Sequence, residues 1–320
     1  MTLVRRRMQA AVCCIAGALV LGGCAAVPDP RLDVTASSFQ RPDLWGQAAT
    51  AEAALAHAYQ IAHVTNLIPA CANWCQAASD MHMAHATLLN QPDPWGGFVA
   101  PLPVPTANGD PYPDTETAVK ELQQAAKAAL TADQAGLAAA SPGREALLWA
   151  SLVAVAAADV AWTADPASAW PAPVPGAFVP FDIPAASTSD AAANALGTLD
   201  QLIYTLTTAS AQPSISPQLH QQLRIRLVAA DRQRGALQAR IEAAGATPSP
   251  PALAYPIPDG VGSDDAVRAT WGPLEHALAI DYVSLAGTMT GDEAVAAAAD
   301  ADLSTAAALG QPITWWPGWG

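Results

Sequence analysis

The chain has 320 residues, which is enough for two domains of ordinary size. Its 14 basic and 28 acidic residues give a formal net charge of −14. A chain this acidic is not expected to follow the phosphates of a nucleic acid or to bind an anionic membrane surface through its folded body. We therefore predict no nucleic-acid partner.

The N-terminal segment has the pattern of a lipoprotein signal peptide. Three arginines at positions 5–7 precede an apolar run of about a dozen residues from Ala10 to Leu21, whereas a bilayer-spanning helix needs about 20. Leu21-Gly22-Gly23-Cys24 then places small residues before a cysteine. We predict that residues 1–23 are removed and that Cys24 carries a lipid. That lipid would hold the exported protein on the outer face of the cell membrane.

Two other interpretations of this segment stay open. An ordinary cleaved signal would leave Cys24 unmodified, and a single-pass anchor would need a longer apolar run. Removal of residues 1–23 takes away three arginines and no acidic residue, so the net charge of −14 becomes −17. Because the body is then even more acidic, we expect the membrane to be a partner only through the lipid on Cys24. Stable anchoring needs more than one acyl chain.

Helical patterns follow a short polar segment. Residues 24–41 hold prolines and polar residues without a period, and we predict a flexible tether there. Beyond it, apolar spacing and capping residues predict helices at Ala51–His63, Pro69–Asn90, from Asp114 to before Ser141, Arg144–Trp162, Ser189–Ala209, Ser216–Ala244, Ser263–Gly287 and Asp292–Leu309. Long proline-rich loops separate several of these helices, at 91–113, 164–186 and 246–262.

The order of helices and loops repeats once along the chain. Trp170-Pro171 follows the fourth helix, and Trp316-Pro317 follows the eighth. We therefore predict an all-α fold of two tandem four-helix, ferritin-like bundles, an N-terminal one at 42–175 and a C-terminal one at 187–320. The alternative is one irregular eight-helix domain, which would share every helix with the first interpretation.

Five segments of the second half carry a family resemblance through their order. They are Leu199-Asp200-Gln201-Leu202-Ile203-Tyr204, Ala230-Asp231-Arg232-Gln233-Arg234, Ala254-Tyr255-Pro256-Ile257-Pro258, Leu274-Glu275-His276-Ala277 with Tyr282, and Trp315-Trp316-Pro317-Gly318. In this order they resemble a ferritin-like domain of unknown function that occurs in secreted proteins and lipoproteins of actinobacteria. The resemblance covers about 130 residues. It implies a four-helix bundle of ferritin-like topology and implies no reaction.

Ferritin-like di-iron proteins place one Glu on helices one and three and a Glu-x-x-His motif on helices two and four. In the second half, Asp200 and Glu275 could fill the single-acid positions. The second helix offers Asp231-x-x-Arg234 instead, and an arginine cannot coordinate a metal ion. We therefore expect no di-iron centre there. Asp231 and Arg234 are expected to pair along the helix.

The first half offers half of the same template. Glu52, Glu121 and Asp159 lie on predicted helices one, three and four, and His82 lies on helix two. Asp159 is the only charged residue in the middle of an apolar helix, so its carboxylate must be paired or have a raised pKa. We predict a buried polar pair of Asp159 with His82, with three other histidines as alternative partners, His57, His63 and His85.

The second helix also carries a stripe of candidate metal ligands. Cys71, Cys75, His82 and His85 lie within an arc of about 80°. Thiolates and imidazoles suit copper or zinc, so these four residues are a candidate soft-metal site. Outside the cell, cysteines four residues apart can also oxidise to a disulfide. We rank a Cys71–Cys75 disulfide first, two inert thiols second and metal ligation third.

The sequence contains no complete catalytic motif, neither a Gly-rich phosphate loop nor a Ser-His-Asp order. We therefore predict a non-enzymatic, lipid-anchored protein that binds or scaffolds near the cell envelope, without a cofactor. Its protein or small-molecule partner is not identified by the sequence. Soft-metal binding by the first bundle is the alternative function, and a degenerate ferritin-like oxidase is a weaker alternative.

Overall fold

The computed structural model describes residues 41–95, 110–166, 170–176, 178, 187–257, 260–289 and 292–319. The predicted signal peptide, Cys24 and the tether up to residue 40 lie outside these residues. The described part of the chain is all-helical, as predicted. Its eight α-helices are α1 (Asp43–Thr65), α2 (Cys71–Leu89), α3 (Thr115–Ala139), α4 (Arg144–Ala164), α5 (Thr188–Ser210), α6 (Pro217–Ala243), α7 (Asp264–Gly287) and α8 (Glu293–Ala308).

Side-chain caps fix where several helices begin. In α3, the carboxylate of Asp114 accepts a hydrogen bond from the backbone N–H of Thr117 at 2.8 Å. Such a cap satisfies an amide N–H that has no partner in the first helical turn. The same type of cap starts four further described helices, at Ser187, Ser216, Ser263 and Asp292. The caps predicted at Asp114, Ser216 and Ser263 are therefore confirmed.

The first helix is longer than predicted. It begins at Asp43, directly after the extended residue Pro42, whereas the sequence pattern placed its start at Ala51. The added turns are held by tertiary packing, since Trp45 is 1% exposed and contacts the ring of Trp149 edge-on at 5.2 Å. Local patterning carries no information about such a contact between distant residues.

Within each half, the helices contact one another in the same order. In the first half α1 packs against α2 and α3, and α3 packs against α4. In the second half α5 packs against α6 and α7, and α7 packs against α8. Corresponding helices of the two halves can therefore be compared directly, α1 with α5 through to α4 with α8.

Helix α4 is buried along most of its length. Fifteen of its 21 residues are buried, and it contacts α3 as well as α7 and α8 of the second half. Within the described residues it is the one helix with the length and apolar composition of a membrane-crossing segment. Its burial among other helices accounts for the same composition.

The two halves meet at closely packed backbone. The N–H of Gly143 donates a hydrogen bond to the carbonyl of Gly287 at 2.7 Å, and a Cβ atom at Gly287 would lie 2.9 Å from the side chain of Leu147. All described residues belong to one compact unit. The domain boundaries at 42–175 and 187–320 stay a prediction.

The chain after α8 returns to the first half. It turns at Gly310, where φ is +91°, and residues 311–319 then form what we call the C-terminal strap. Val174 donates its N–H to the carbonyl of Ile313 at 2.8 Å, and Trp315 donates its N–H to the carbonyl of Val174 at 3.1 Å. Three strap side chains are largely buried, Ile313, Trp316 and Trp319.

Candidate metal centre

All four helices of the first half place polar side chains in its core. Every one of these side chains is at most 1% exposed. Buried charged groups must be paired or must coordinate a metal ion, because the interior does not solvate them. We call these residues the polar cluster: Glu52 and Tyr59 from α1, His82 and His85 from α2, Asp133 from α3 and Asp159 from α4.

Helical spacing explains how these side chains come to share the core. Glu52 and Tyr59 are seven residues apart, which is two turns, and His82 and His85 are three apart, so each pair lies on one helix face. Asp133 continues the buried stripe of α3, four residues after Ala129. Each polar residue thus occupies a position that the helix pattern otherwise gives to an apolar one.

Three side-chain atoms converge in the middle of the cluster. The Oε2 atom of Glu52 lies 2.7 Å from Nδ1 of His82 and 3.0 Å from Nδ1 of His85. Among the described residues, these three form the one group of His, Cys, Asp or Glu whose candidate ligand atoms all lie within 4.8 Å of one another. All three side chains are fully buried.

The hydrogen bond of the outer ring nitrogen of His85 identifies which ring nitrogen carries the proton. Its Nε2 atom lies 2.8 Å from the backbone carbonyl oxygen of Trp315 in the C-terminal strap. A carbonyl oxygen only accepts hydrogen bonds, so Nε2 carries the proton. In the neutral ring, Nδ1 then presents a lone pair to Glu52, and a proton or a metal ion must lie between these two acceptors.

His82 is arranged in the same way. Its Nε2 atom lies 2.9 Å from Oδ2 of Asp159, and the hydroxyl of Tyr59 donates to the other carboxylate oxygen at 2.6 Å. The polar pair of Asp159 and His82, named from the sequence, is therefore brought together. Nδ1 of His82 faces Glu52, so each histidine has one nitrogen turned inward and one held by an outer acceptor.

Asp133 adds a third carboxyl group beside Glu52. It is 0% exposed, and its carboxyl group contacts the carboxylate of Glu52 and no N–H donor among the described residues. Burial, together with the charge of Glu52, raises the pKa of Asp133 well above its ordinary value. In the absence of a metal ion, Asp133 therefore holds its proton more tightly than an exposed aspartate does.

Opposite charges surround His82 when no metal is bound. Burial alone would lower the pKa of His82, but the charges of Asp159 and Glu52 and their hydrogen bonds raise it to about 10. Burial alone would likewise raise the pKa of Glu52, but the charges of His82 and His85 lower it far below its ordinary value. The metal-free cluster therefore holds a protonated imidazole between two carboxylates.

The spacing of the inward atoms also fits a metal ion. With metal–ligand bonds of about 2.1 Å, neighbouring ligands of one ion lie about 3.0 Å apart in octahedral and about 3.4 Å apart in tetrahedral geometry. The distances from Glu52 to the two Nδ1 atoms, 2.7 and 3.0 Å, are hydrogen-bond distances at or below the shorter of these values. One ion could replace the protons between these atoms without a large rearrangement.

Aromatic rings enclose the cluster. The ring of Tyr59 stacks on His82 with centroids 5.8 Å apart, and it contacts Trp162 at 5.9 Å. On the opposite side, Trp316 lies 4.5 Å from His85. Apolar walls exclude water and strengthen electrostatic interactions within the site.

The structure divides the predicted ligand stripe of α2. Cys71 and Cys75 are joined in a disulfide, with Cα atoms 4.6 Å apart. Cys75 also precedes His82 by seven residues, about 10 Å along a helix. The soft-metal site of two cysteines and two histidines is therefore wrong in its cysteine half. Its histidine half, His82 with His85, belongs to the polar cluster together with carboxylates.

One further sequence expectation is corrected on α3. Glu121 was the acid expected from this helix, but it is exposed on the molecular surface. The acid that enters the core is Asp133, three turns later, which the sequence analysis did not single out. A usable signal was present, since Asp133 lies in register with the buried residues Leu122, Ala126 and Ala129.

The second half has a different polar core at the corresponding place. Arg226 of α6 is 8% exposed and binds Glu275 of α7 with two hydrogen bonds of 2.5 and 2.8 Å. It also donates to Asp302 of α8 at 3.0 Å and to Gln233 at 2.7 Å. The indole N–H of Trp271 completes the shell of Glu275. An arginine side chain thus supplies the positive charge of this buried network.

The arginine in this core is not the one that the sequence predicted. Arg234 was expected to lie at the place of a metal ligand. Arg234 does pair with Asp231 at 2.9 Å, as predicted, but on an exposed surface. Arg226 is the buried one. Asp200 of α5, the other predicted acid, is 6% exposed and lies outside the hydrogen bonds of this network.

Comparisons with known proteins gave no relative: no family model, curated protein or solved structure matches the chain. The resemblance of the second half to a ferritin-like domain therefore stays a prediction. Any functional assignment depends on the geometry described above.

Proposed function

We propose that the first half binds one divalent first-row transition-metal ion through Glu52, His82 and His85. The observation that carries this proposal is the convergence of Oε2 of Glu52 with the two Nδ1 atoms in a fully buried site. Side chains that only filled the core would not need three polar atoms directed at one point.

The outer partners of the histidines support the same conclusion. Histidines that bind metal ions almost always donate their other ring N–H to a carboxylate or a backbone carbonyl, which fixes the tautomer and raises the basicity of the ligand. His82 has Asp159 in this role, and His85 has the carbonyl of Trp315. Tyr59 in turn orients Asp159.

The donor set favours a borderline metal ion. Two imidazole nitrogens and a carboxylate suit Zn²⁺, Fe²⁺ or Mn²⁺, whereas Cu⁺ prefers thiolates. The cysteines that would have made the site soft are bonded to each other. Asp133 could provide a further oxygen once it loses its proton. We therefore replace the predicted cysteine–histidine site with a nitrogen–oxygen site.

Calorimetric titration of chelator-treated protein with Zn²⁺ tests this proposal. We expect about one bound equivalent, and we expect Glu52→Ala or His82→Ala to weaken binding more than about 100-fold, because each removes a direct ligand. His63→Ala is the matched control, since His63 is a half-buried histidine near the end of α1 and outside the cluster. The proposal fails if the wild-type chain binds none of Zn²⁺, Fe²⁺ and Mn²⁺, or if the ligand variants bind as tightly as the control.

We also propose that the protein is exported and anchored through lipid on Cys24. The arginines at 5–7, the short apolar run and Leu21-Gly22-Gly23-Cys24 support this, and disulfides such as Cys71–Cys75 persist in oxidising compartments. Replacing Cys24 by Ser should move the protein from the membrane fraction to the soluble fraction. Unchanged membrane association in that variant would refute the lipid anchor.

The finer description of the fold is likewise a proposal. The repeated order of helix contacts supports two tandem four-helix bundles of ferritin-like topology. Metal binding requires no turnover, so the prediction of a non-enzymatic binding protein is kept. Oxygen consumption on adding Fe²⁺ to the metal-free protein distinguishes it from the oxidase alternative. We expect no uptake beyond that of free Fe²⁺.

A further inference from the structure

We infer that the C-terminal strap takes part in the metal site. Its residues Trp315 and Trp316 position the ligand His85. This inference rests on the proposed metal binding. It assigns to the second half of the chain a role in the function of the first half.

His85 depends on the strap for its outer contacts. Its Nε2–H donates to the carbonyl oxygen of Trp315 at 2.8 Å, and its ring lies 4.5 Å from that of Trp316. The first contact selects the tautomer whose Nδ1 lone pair faces Glu52. The second restricts rotation of the imidazole ring.

The two histidines differ in the source of their outer partner. His82 is oriented by Asp159, which lies on α4 within the same half. His85 is oriented by a residue 230 positions later in the chain, beyond the last helix of the second half. The first half on its own therefore holds only one of its two histidines in the metal-binding state.

The strap is fixed to the first half by several independent contacts. Two backbone hydrogen bonds join it to Val174, on the loop that follows α4. The rings of Trp316 and Trp319 pack on Phe178 at 5.0 and 4.4 Å, and Trp319 stacks on Trp95 at 6.3 Å. These contacts hold the Trp315 carbonyl at a defined place relative to His85.

Two variants loosen the strap in different ways. Trp316→Ala removes the ring that packs on His85, with Trp316→Phe as the conservative replacement. Val174→Pro removes the N–H that binds Ile313 while changing little packing, since Val174 is 36% exposed and already precedes a proline. We expect Trp316→Ala and Val174→Pro to weaken Zn²⁺ binding about 10–100-fold, the range for lost outer partners, with Trp316→Phe closer to wild type.

A double-mutant cycle separates positioning of His85 from a general structural effect. In a His85→Ala background, Trp316→Ala should cause no further loss of Zn²⁺ affinity, because the residue through which the strap acts is gone. An equal loss in both backgrounds would overturn the inference. So would unchanged affinity of Trp316→Ala and Val174→Pro in the wild-type background.

A metal-free measurement keeps this inference apart from the proposed function. In the intact, chelator-treated chain, ¹⁵N NMR of the His85 ring should show a proton on Nε2 that is shared with a carbonyl oxygen, and Val174→Pro should abolish that fixed state. A ring state that is unaffected by Val174→Pro contradicts the role of the strap. A wild-type chain with this ring state but without Zn²⁺ binding would instead refute the proposed function alone.

Discussion

The two halves use the same helix order to build opposite kinds of polar core. In the first half, two histidines face Glu52, and the positive charge between the carboxylates is a proton that can leave. In the second half the positive charge is the guanidinium of Arg226, which is covalently part of the chain. The first core can exchange its cation, and the second cannot.

The first half therefore carries the proposed metal site, whereas the polar core of the second half is expected only to stabilise the fold. In the second half, the hydrogen bonds of Glu275 and the contacts of Asp302 raise the pKa of Arg226, although burial alone would lower it, so the arginine stays charged. In the first half, the carboxyl group of Asp133 lies against that of Glu52, and the two acids share a hydrogen bond. Two buried carboxylates in contact are costly when both are ionised, and a metal ion would neutralise that charge.

Breaking the Arg226 network of the second half should have the largest effect on the free energy of unfolding. Glu275→Ala leaves Arg226 buried and without its main partner, so we expect a loss of about 3–5 kcal/mol in the free energy of unfolding. Denaturant unfolding measures it. Replacing Arg226, Glu275 and Asp302 together by apolar residues of similar size should cost far less. A loss below about 1 kcal/mol for Glu275→Ala would show that the network contributes little.

The polar cluster of the first half should make stability depend on pH. The pKa of His82 is about 6.5 in the unfolded chain and about 10 in the folded, metal-free chain. Its stabilising contribution is complete below pH 6.5, falls as the pH rises towards 10 because the unfolded chain loses its proton first, and is absent above that.

We expect the difference in unfolding free energy between wild type and His82→Gln, measured with chelator, to decrease by on the order of a few kcal/mol between pH 6.5 and 10. Arg226 keeps its charge throughout this range and adds no such slope. A difference that stays constant with pH would contradict the charged state assigned to His82.

Metal addition should stabilise through the first core alone. Zn²⁺ at a free concentration 100 times its dissociation constant should raise the free energy of unfolding by about 2.7 kcal/mol. Glu275→Ala should gain the same increment from its lower starting point, and His82→Ala should gain none. An increment that disappears in Glu275→Ala would place the ion in the second half instead.

Breaking the exposed ion pair of α6 should have the smallest effect on the free energy of unfolding. Asp231→Ala removes the partner of Arg234 on a largely exposed surface, where a pair three residues apart contributes a few tenths of a kcal/mol. We expect a change below about 0.5 kcal/mol in denaturant unfolding. A larger loss would mean that Asp231 supports the buried Arg226 network.

Local chemistry made the helices predictable. Capping residues such as Ser216 and Ser263 mark helix starts through contacts within four residues. The pairing of Asp159 with His82 also followed from the sequence, because a lone charge in an apolar helix needs a partner. Glu52 was identified as a candidate from the ferritin-like template, which places one acid on the first helix.

The remaining features depend on contacts that no local pattern contains. Asp133 and Glu121 both lie on α3, and only packing against α1 and α4 decides which one faces inward. The partner of His85 is a backbone carbonyl, which every residue has, so no residue type could mark Trp315. Among the arginines of α6, the choice of Arg226 likewise depended on α7 and α8.

The contact between His85 and Trp315 also dictates when the centre can be finished. The two residues are 230 positions apart, so this hydrogen bond is a long-range contact, of the kind whose loop-closure entropy slows folding. Trp315 lies in the strap, beyond the last described helix. Until that segment emerges and docks, a nascent chain holds His82 with its partner and His85 without one. At the proposed site, tight capture of an ion therefore requires the docked strap, so a partly folded chain is expected to hold metal only weakly.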